Sequence, residues 1–317
     1  MTIGIDFGAT KGDEMMIGID FGGTKIEIIA LDETGRELLR RRRPTPRRDY
    51  AGSVEAVAVL VESAEAELGM RGTLGVGTPG AISAATGNIK NANSTVLNGR
   101  PFRRDLEARL GREVRMANDA NCFALSEAID GAGMIDGRPA NIVFGAILGT
   151  GCGGGIVIEG RALTGANAIA GEWGHNPLPL PRAADLPLPA CHCGRSGCIE
   201  TYLSGPGMAR DHLFATGQAL DAAAIGAAAQ RGDPACAATL ARYEERLARA
   251  LAHVINLIDP DVIVLGGGVS NLDRLYAAVP RLWTPYVFSD RIQTRLSRNL
   301  HGDSSGVRGA AWLWRRG

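Results

Sequence analysis

Two rhythms of apolar residues alternate along the chain. Short apolar runs at 17–21, 26–31, 74–78, 114–117, 142–148, 156–158 and 261–265 read as strands. Elsewhere apolar positions recur every three or four residues. Val54, Val57, Val61, Ala64 and Leu68 share one face over 53–68, and Leu240, Tyr243, Leu247, Leu251, Val254 and Ile258 share another over 238–258. Shorter helices are predicted over 121–129 and 307–314. Strands alternating with helices predict an α/β protein. Three glycine turns punctuate the pattern. Asp20-Phe21-Gly22-Gly23-Thr24-Lys25 joins two strands, the run 149–155 forms a glycine-rich hairpin, and Gly266-Gly267-Gly268 follows the strand at 261–265. Residues 177–189 carry five prolines and read as an irregular loop.

The start of the chain contains a near-repeat. Residues 3–11 read IGIDFGATK and residues 17–25 read IGIDFGGTK. Only the second copy runs on into an apolar strand and a turn at Asp32-Glu33-Thr34-Gly35, so it is taken as the working one. Residues 1–15 then form an N-terminal extension duplicating the first strand. Lys+Arg and Asp+Glu number 34 each, so no chain-wide field favours nucleic acid or an anionic membrane. No apolar run reaches the ~18–20 residues of a membrane span, and no leader pattern opens the chain. The basic run at 40–43 with Arg47 and Arg48 lacks interleaved aromatics and reads as a solvated strand end and loop.

Glycine turns let successive backbone N–H groups approach an anion. One alone is weak evidence, and none here is a P-loop or dinucleotide fingerprint. Three together, one carrying Asp and Thr placed for Mg²⁺ and phosphate, point to a nucleotide. Asn118-Asp119 ends a strand, where an Asp can take a proton from a substrate hydroxyl; either residue also suits a helix N-cap. Three of the six cysteines, Cys191, Cys193 and Cys198, lie within eight residues in a CxCGxxGC pattern. With one histidine they make a tetrahedral, structural zinc set in a reducing compartment, which places the protein in the cytoplasm. His192 is crowded by its neighbours. His175 can bind metal through one ring nitrogen and leave the other facing a ligand. Glu172 and Glu200 would come to the same place as hydroxyl acceptors.

DFGGTK, NDAN, LGTGCGGG, GEWGHN, CHCGRSGCIE and VIVLGGGVS, in this order, resemble the ROK family of sugar kinases and repressors. KNANSTVLNG and HGDSSGVRGAAWLW are similar to its fructokinase subgroup of the manno(fructo)kinase type. The resemblance implies an actin-like, ribonuclease H-like ATPase fold, with two lobes around a nucleotide cleft. Residues 16–118 plus 303–317 would form the first lobe, and 119–302 the second, with its zinc-binding loop. It implies ATP, Mg²⁺ and structural Zn²⁺. Asp20, Gly22, Gly23, Thr24, Lys25, Gly149, Thr150, Gly151, Gly153, Gly154, Gly267 and Gly268 would bind the nucleotide and its metal. Asp119 would be the catalytic base. Asn118, Asp119, Glu172, His175 and Glu200 would hold the sugar, with Asn91, Asn93 and Asn98 as alternatives for a further contact, the choice among them left open. His175, Cys191, Cys193 and Cys198 would bind zinc. The implied reaction is transfer from ATP to the 6-hydroxyl of fructose, then mannose, by a homodimer. Glucose or N-acetylglucosamine, or a non-catalytic sugar sensor or repressor, are the alternatives.

Overall fold

The computed structural model describes residues 15–46, 48–92 and 94–315; the first copy of the repeat lies outside them. Strands β1 (Met16–Phe21), β2 (Lys25–Leu31) and β3 (Glu37–Pro44) precede helix α1 (Tyr50–Leu68) and β4 (Thr73–Thr78). A small hairpin, β5 (Ala81–Ile82) and β6 (Ile89–Lys90), leads to α2 (Phe102–Leu110), β7 (Val114–Asn118) and α3 (Asp119–Asp130). Then come β8 (Met134–Ile135), β9 (Arg138–Pro139), β10 (Ile142–Leu148), β11 (Cys152–Ile158) and β12 (Arg161–Ala162). Helices α4 (Glu200–Leu203), α5 (Gly205–Thr216), α6 (Ala222–Gln230) and α7 (Pro234–Ile258) follow, then β13 (Val262–Gly266), α8 (Arg274–Leu282), β14 (Arg295–Arg298) and α9 (Ser305–Trp312).

Two five-stranded sheets result, ordered β3-β2-β1-β4-β7 and β12-β11-β10-β13-β14. Each has an antiparallel half joined to a parallel half. The turn between β1 and β2 and the turn between β10 and β11 therefore occupy matching places in the two sheets. The actin-like two-lobed α/β fold is this duplicated architecture.

The helices start where polar side chains cap them. Asp49 accepts from Gly52 N–H and Asp233 from Cys236 N–H, so α1 and α7 begin three and four residues before their apolar periodicity does. The basic run at 40–43 is the end of β3 and leads into the loop before α1, as expected, and its side chains alternate with a period of two. Arg40 and Arg42 turn to Glu27, which is 1% exposed, at 2.5 and 2.6 Å. Arg41 turns to Glu67 and Ser63 on α1.

Helix α9 joins the two halves. A Cβ on Gly18 of β1 would lie 2.1 Å from Val307 O, one on Gly75 of β4 would lie 1.8 Å from Ala310 O, and one on Gly309 would lie 1.7 Å from Cys122 O of α3. Glycine at all three positions lets backbone meet backbone. Among the described residues no helix is long and apolar enough to cross a membrane.

Candidate active site

The end of β1 and the end of β7 bring two carboxylates together. Asp20 precedes the Gly22–Gly23 turn, which closes through Gly22 N–H to Lys25 O at 3.0 Å and is braced by Thr45, whose hydroxyl donates to Gly22 O at 2.7 Å. Burial pushes the Asp20 carboxyl up to about 6, and the charges of Asp119 and Glu27 add to the shift. Asp119 opens α3. It keeps open surface on the cleft while protein surrounds its other sides. That burial raises its pKa, Glu172 raises it further, and the Ala120 N–H donating to Oδ1 at 2.8 Å opposes both. Asp20, Asp119 and Glu172 thus share one electrostatic site.

Asn118 is the N-cap of α3: its Oδ1 accepts from Asn121 N–H at 2.7 Å. The capping reading holds, and Nδ2 is the group left for a ligand. Lys25 lies 4.0 Å from Glu27. Of the additional asparagines, Asn98 is committed to the loop, with its amide gripping both Ala92 N–H and Ala92 O at 2.8 and 2.9 Å. That corrects its reading as a sugar contact. Asn91 is exposed in a left-handed conformation, with φ 58°, and Asn93 lies outside the described residues.

A cavity of about 1080 Å³ opens beside the second glycine turn, walled by Gly149, Thr150, the start of α5, α6 and residues 268–274. Its glycines divide by what a side chain would meet. A Cβ on Gly149 or Gly268 meets nothing within 4 Å, whereas on Gly267, at φ +80°, it would lie 2.5 Å from Leu148 O. Gly151 faces Glu200, Gly153 abuts Ala120, and Gly154 is closed in by Gly171 O and Trp173. Gly153 and Gly154 therefore sit in the packed wall of β11. Gly205 N–H donates to Gly149 O at 2.8 Å, and Ser204 caps α5, so a helix N-terminus adds donors and dipole beside the turn. The α6 wall, with Ala222, Ala223 and Gly226, escaped the sequence reading because small residues carry no amphipathic signal.

The predicted zinc ligands converge. His175, Cys191, Cys193 and Cys198 place their ligand atoms within 4.8 Å of one another. Cys191 Sγ lies 3.6 Å from His175 Nδ1, and Cys193 Sγ lies 3.7 Å from Cys198 Sγ. A tetrahedron with Zn–S of ~2.3 Å and Zn–N of ~2.0 Å has edges of about 3.5–3.8 Å, so the donor set fits the ion. All six cysteines are free. Glu200 links this cluster to the glycine hairpin. Its Oε2 accepts from Cys152 N–H at 3.0 Å, and its Oε1 lies 3.2 Å from His192 Nδ1. The proline-rich loop is anchored on α7 by Asp185, paired with Arg246 at 2.7 Å and Arg249 at 2.8 Å.

Two glycine turns at matching places in their sheets, with Asp20 and Asp119 at strand ends within electrostatic reach of each other, suit phosphoryl transfer, and the comparisons give the class. A profile of the ROK family matches residues 16–317, and the chain belongs to that family, as one of its ATP-dependent sugar kinases. An N-acetyl-D-glucosamine kinase of Salmonella typhimurium LT2 is 42% identical over 321 residues, covering 99% of both chains. Among solved structures, a ROK hexokinase from Thermus thermophilus is 33% identical, with a TM-score of 0.82 and coverage of 94% of this chain and 97% of that one. A ROK glucokinase from Streptomyces griseus, solved with glucose and AMPPNP, is 28% identical, with a TM-score of 0.72 and coverage of 96% and 100%.

Proposed function

We propose that the protein transfers the γ-phosphoryl group of ATP to the 6-hydroxyl of N-acetylglucosamine. The observation that carries the reaction is the placement of Asp119, at a helix start within electrostatic reach of Asp20 and Glu172. The sugar rests on the Salmonella relative. The fructose-first expectation, with mannose second, finds no support in the relatives above and gives way to it. Glucose is the second reading, supported by the Streptomyces griseus complex.

In this mechanism Asp119 accepts the proton of the 6-hydroxyl as its oxygen attacks the γ-phosphorus in line. The bond to the β–γ bridging oxygen breaks, and ADP leaves. Asp20 holds the magnesium of MgATP through water. N–H groups of Gly23, Thr24, Thr150 and Gly151 donate to the phosphates, while those of Gly22 and Gly149 close the two turns on Lys25 O and Gly151 O. Gly267 and Gly268 flank the adenosine in the large cavity. Asn118 Nδ2, Glu172, His175 and Glu200 orient the sugar hydroxyls. His175, Cys191, Cys193 and Cys198 would hold zinc, which would supply a cross-link keeping His175 and Glu200 in place. The lobes divide at 118/119, with residues from 303 onward returning to the first.

The test is ADP release with MgATP against N-acetylglucosamine, glucose, fructose and mannose, with Asp119→Asn alongside. Turnover greatest with N-acetylglucosamine and lost in the variant supports both halves of the reading. Preference for another hexose overturns the substrate. Full turnover by Asp119→Asn overturns the base.

A further inference from the structure

A second cavity, of about 690 Å³, lies between β7 and β12, the strands that edge the two sheets on one side. No residue assigned above to ATP, sugar or zinc lines it. Three arginines on separate elements do: Arg115 on β7, Arg161 on β12, and Arg315 after α9. No carboxylate is among its lining residues. In a chain whose charges balance overall, this is a local excess of cations.

The arginines are engaged to different degrees. Arg115 donates to Leu313 O at 2.9 Å, lies 3.8 Å from Glu113 and stacks over Trp314 at 4.0 Å. Arg161 and Arg315 are exposed, and no carboxylate pairs with either among the described residues. The rest of the wall is apolar and aromatic, with Trp312 and Trp314. Trp312 is only 4% exposed, and its indole N–H has no partner; the Asn121 Oδ1 is likewise buried and unpartnered. A buried polar atom without a partner costs ~1–3 kcal/mol; both residues line the cavity, though these two atoms are themselves closed off from solvent.

We propose that this cavity binds a phosphorylated sugar, apart from the catalytic cleft. Guanidinium groups match a phosphate monoester through charge-assisted hydrogen bonds. The partly exposed apolar lining, Met116, Ala117, Ala162 and the half-buried Trp314, offers surface to the C–H face of a pyranose. Because the cavity draws on both sheets and on the end of α9, a bound ligand bridges the two sheets. Choosing N-acetylglucosamine 6-phosphate as first probe rests on the substrate reading above; the anion site itself does not.

The experiment is calorimetric titration of the enzyme with its catalytic cleft saturated by AMPPNP and sugar. Arms of N-acetylglucosamine 6-phosphate, glucose 6-phosphate and inorganic phosphate are compared, with tryptophan fluorescence as a second readout. One equivalent of sugar phosphate is expected to bind and to perturb the indole emission. Arg161→Ala and Arg315→Ala, both at exposed positions, should each weaken it about tenfold or more, with kcat and both KM values unchanged in the absence of product. Absence of binding to the blocked enzyme, or unchanged affinity in both variants, would overturn the proposal. Inorganic phosphate binding as tightly as the sugar phosphates would overturn its sugar half. If turnover has shown glucose to be the substrate, the glucose arm tests the site on its own terms.

Discussion

Gly149→Ala and Gly267→Ala separate space kept for a ligand from space used by the fold. A methyl at Gly149 meets no protein atom within 4 Å, and the position is outside the left-handed region. The folded chain accommodates it, and loss of glycine's freedom in the unfolded chain adds ~0.4–1 kcal/mol of stability. The cost falls on ATP, whose phosphates come against the turn, so KM for ATP should rise about tenfold or more. Gly267 is the opposite case. Its φ of +80° costs a non-glycine residue about 1–2 kcal/mol. Its Cβ would also stand 2.5 Å from Leu148 O, a backbone atom at the end of β10, which adds about 1–3 kcal/mol. At ~2 °C per kcal/mol for a large domain, Tm should fall by roughly 4–10 °C. Steady-state kinetics in ATP and thermal denaturation of both variants decide. Gly149→Ala with unchanged KM and unchanged Tm would refute the assignment of that turn to phosphate. Gly267→Ala with wild-type Tm would refute the packing argument.

Asp119→Asn should lower kcat by about 10²–10⁴ without lowering Tm, because it removes a charge that raises the pKa of Asp20; single-turnover kinetics and calorimetry check both. Cys193→Ser should lose bound zinc and raise the sugar KM; elemental analysis showing undiminished zinc would remove the ligand assignment. Asp185→Ala removes the carboxylate shared by Arg246 and Arg249, 2% exposed each, and leaves them only Asp211 and Glu245, for a loss of about 1–3 kcal/mol read by urea unfolding. Burial alone would raise the Asp185 pKa, but the Arg182 N–H and the two guanidinium groups hold it below the usual carboxylate value. Its stabilisation is therefore complete above about pH 4 and is lost as pH falls through the depressed folded value. The wild-type urea midpoint should drop over that acid range, and Asp185→Ala should flatten the drop.

The parts of the molecule legible from sequence are those whose signal is local. The glycine turns, the Asp at each strand end and the cysteine run announce themselves through residue type and spacing. Helices α1 and α7 announce themselves through long apolar faces, though their starts at Asp49 and Asp233 needed cap geometry to place. Helix α2 was missed because only Phe102 and Leu106 are buried in a segment otherwise rich in charge. The partners of the basic stretch in β3, Glu27 and Glu67, were not legible because other elements supply them. The same holds for Asn98, whose amide serves a loop six residues away rather than the cleft. The nucleotide cavity's far wall is built from alanines and glycine on α6, which say nothing until the fold sets them opposite the Gly149 turn.

The docking of α9 has a consequence for biosynthesis. Its backbone fills the hollows at Gly18 and Gly75 in the first sheet, yet it is translated almost two hundred residues after β7 completes that sheet. At ~5–20 residues per second, the interval is roughly 10–40 s. Throughout that time the nascent first sheet presents an unfilled face around β1 and β4. Ribosome-bound chains halted before residue 305 should therefore be clients for chaperones and prone to proteolysis, and synthesis of a single short helix should end that exposure.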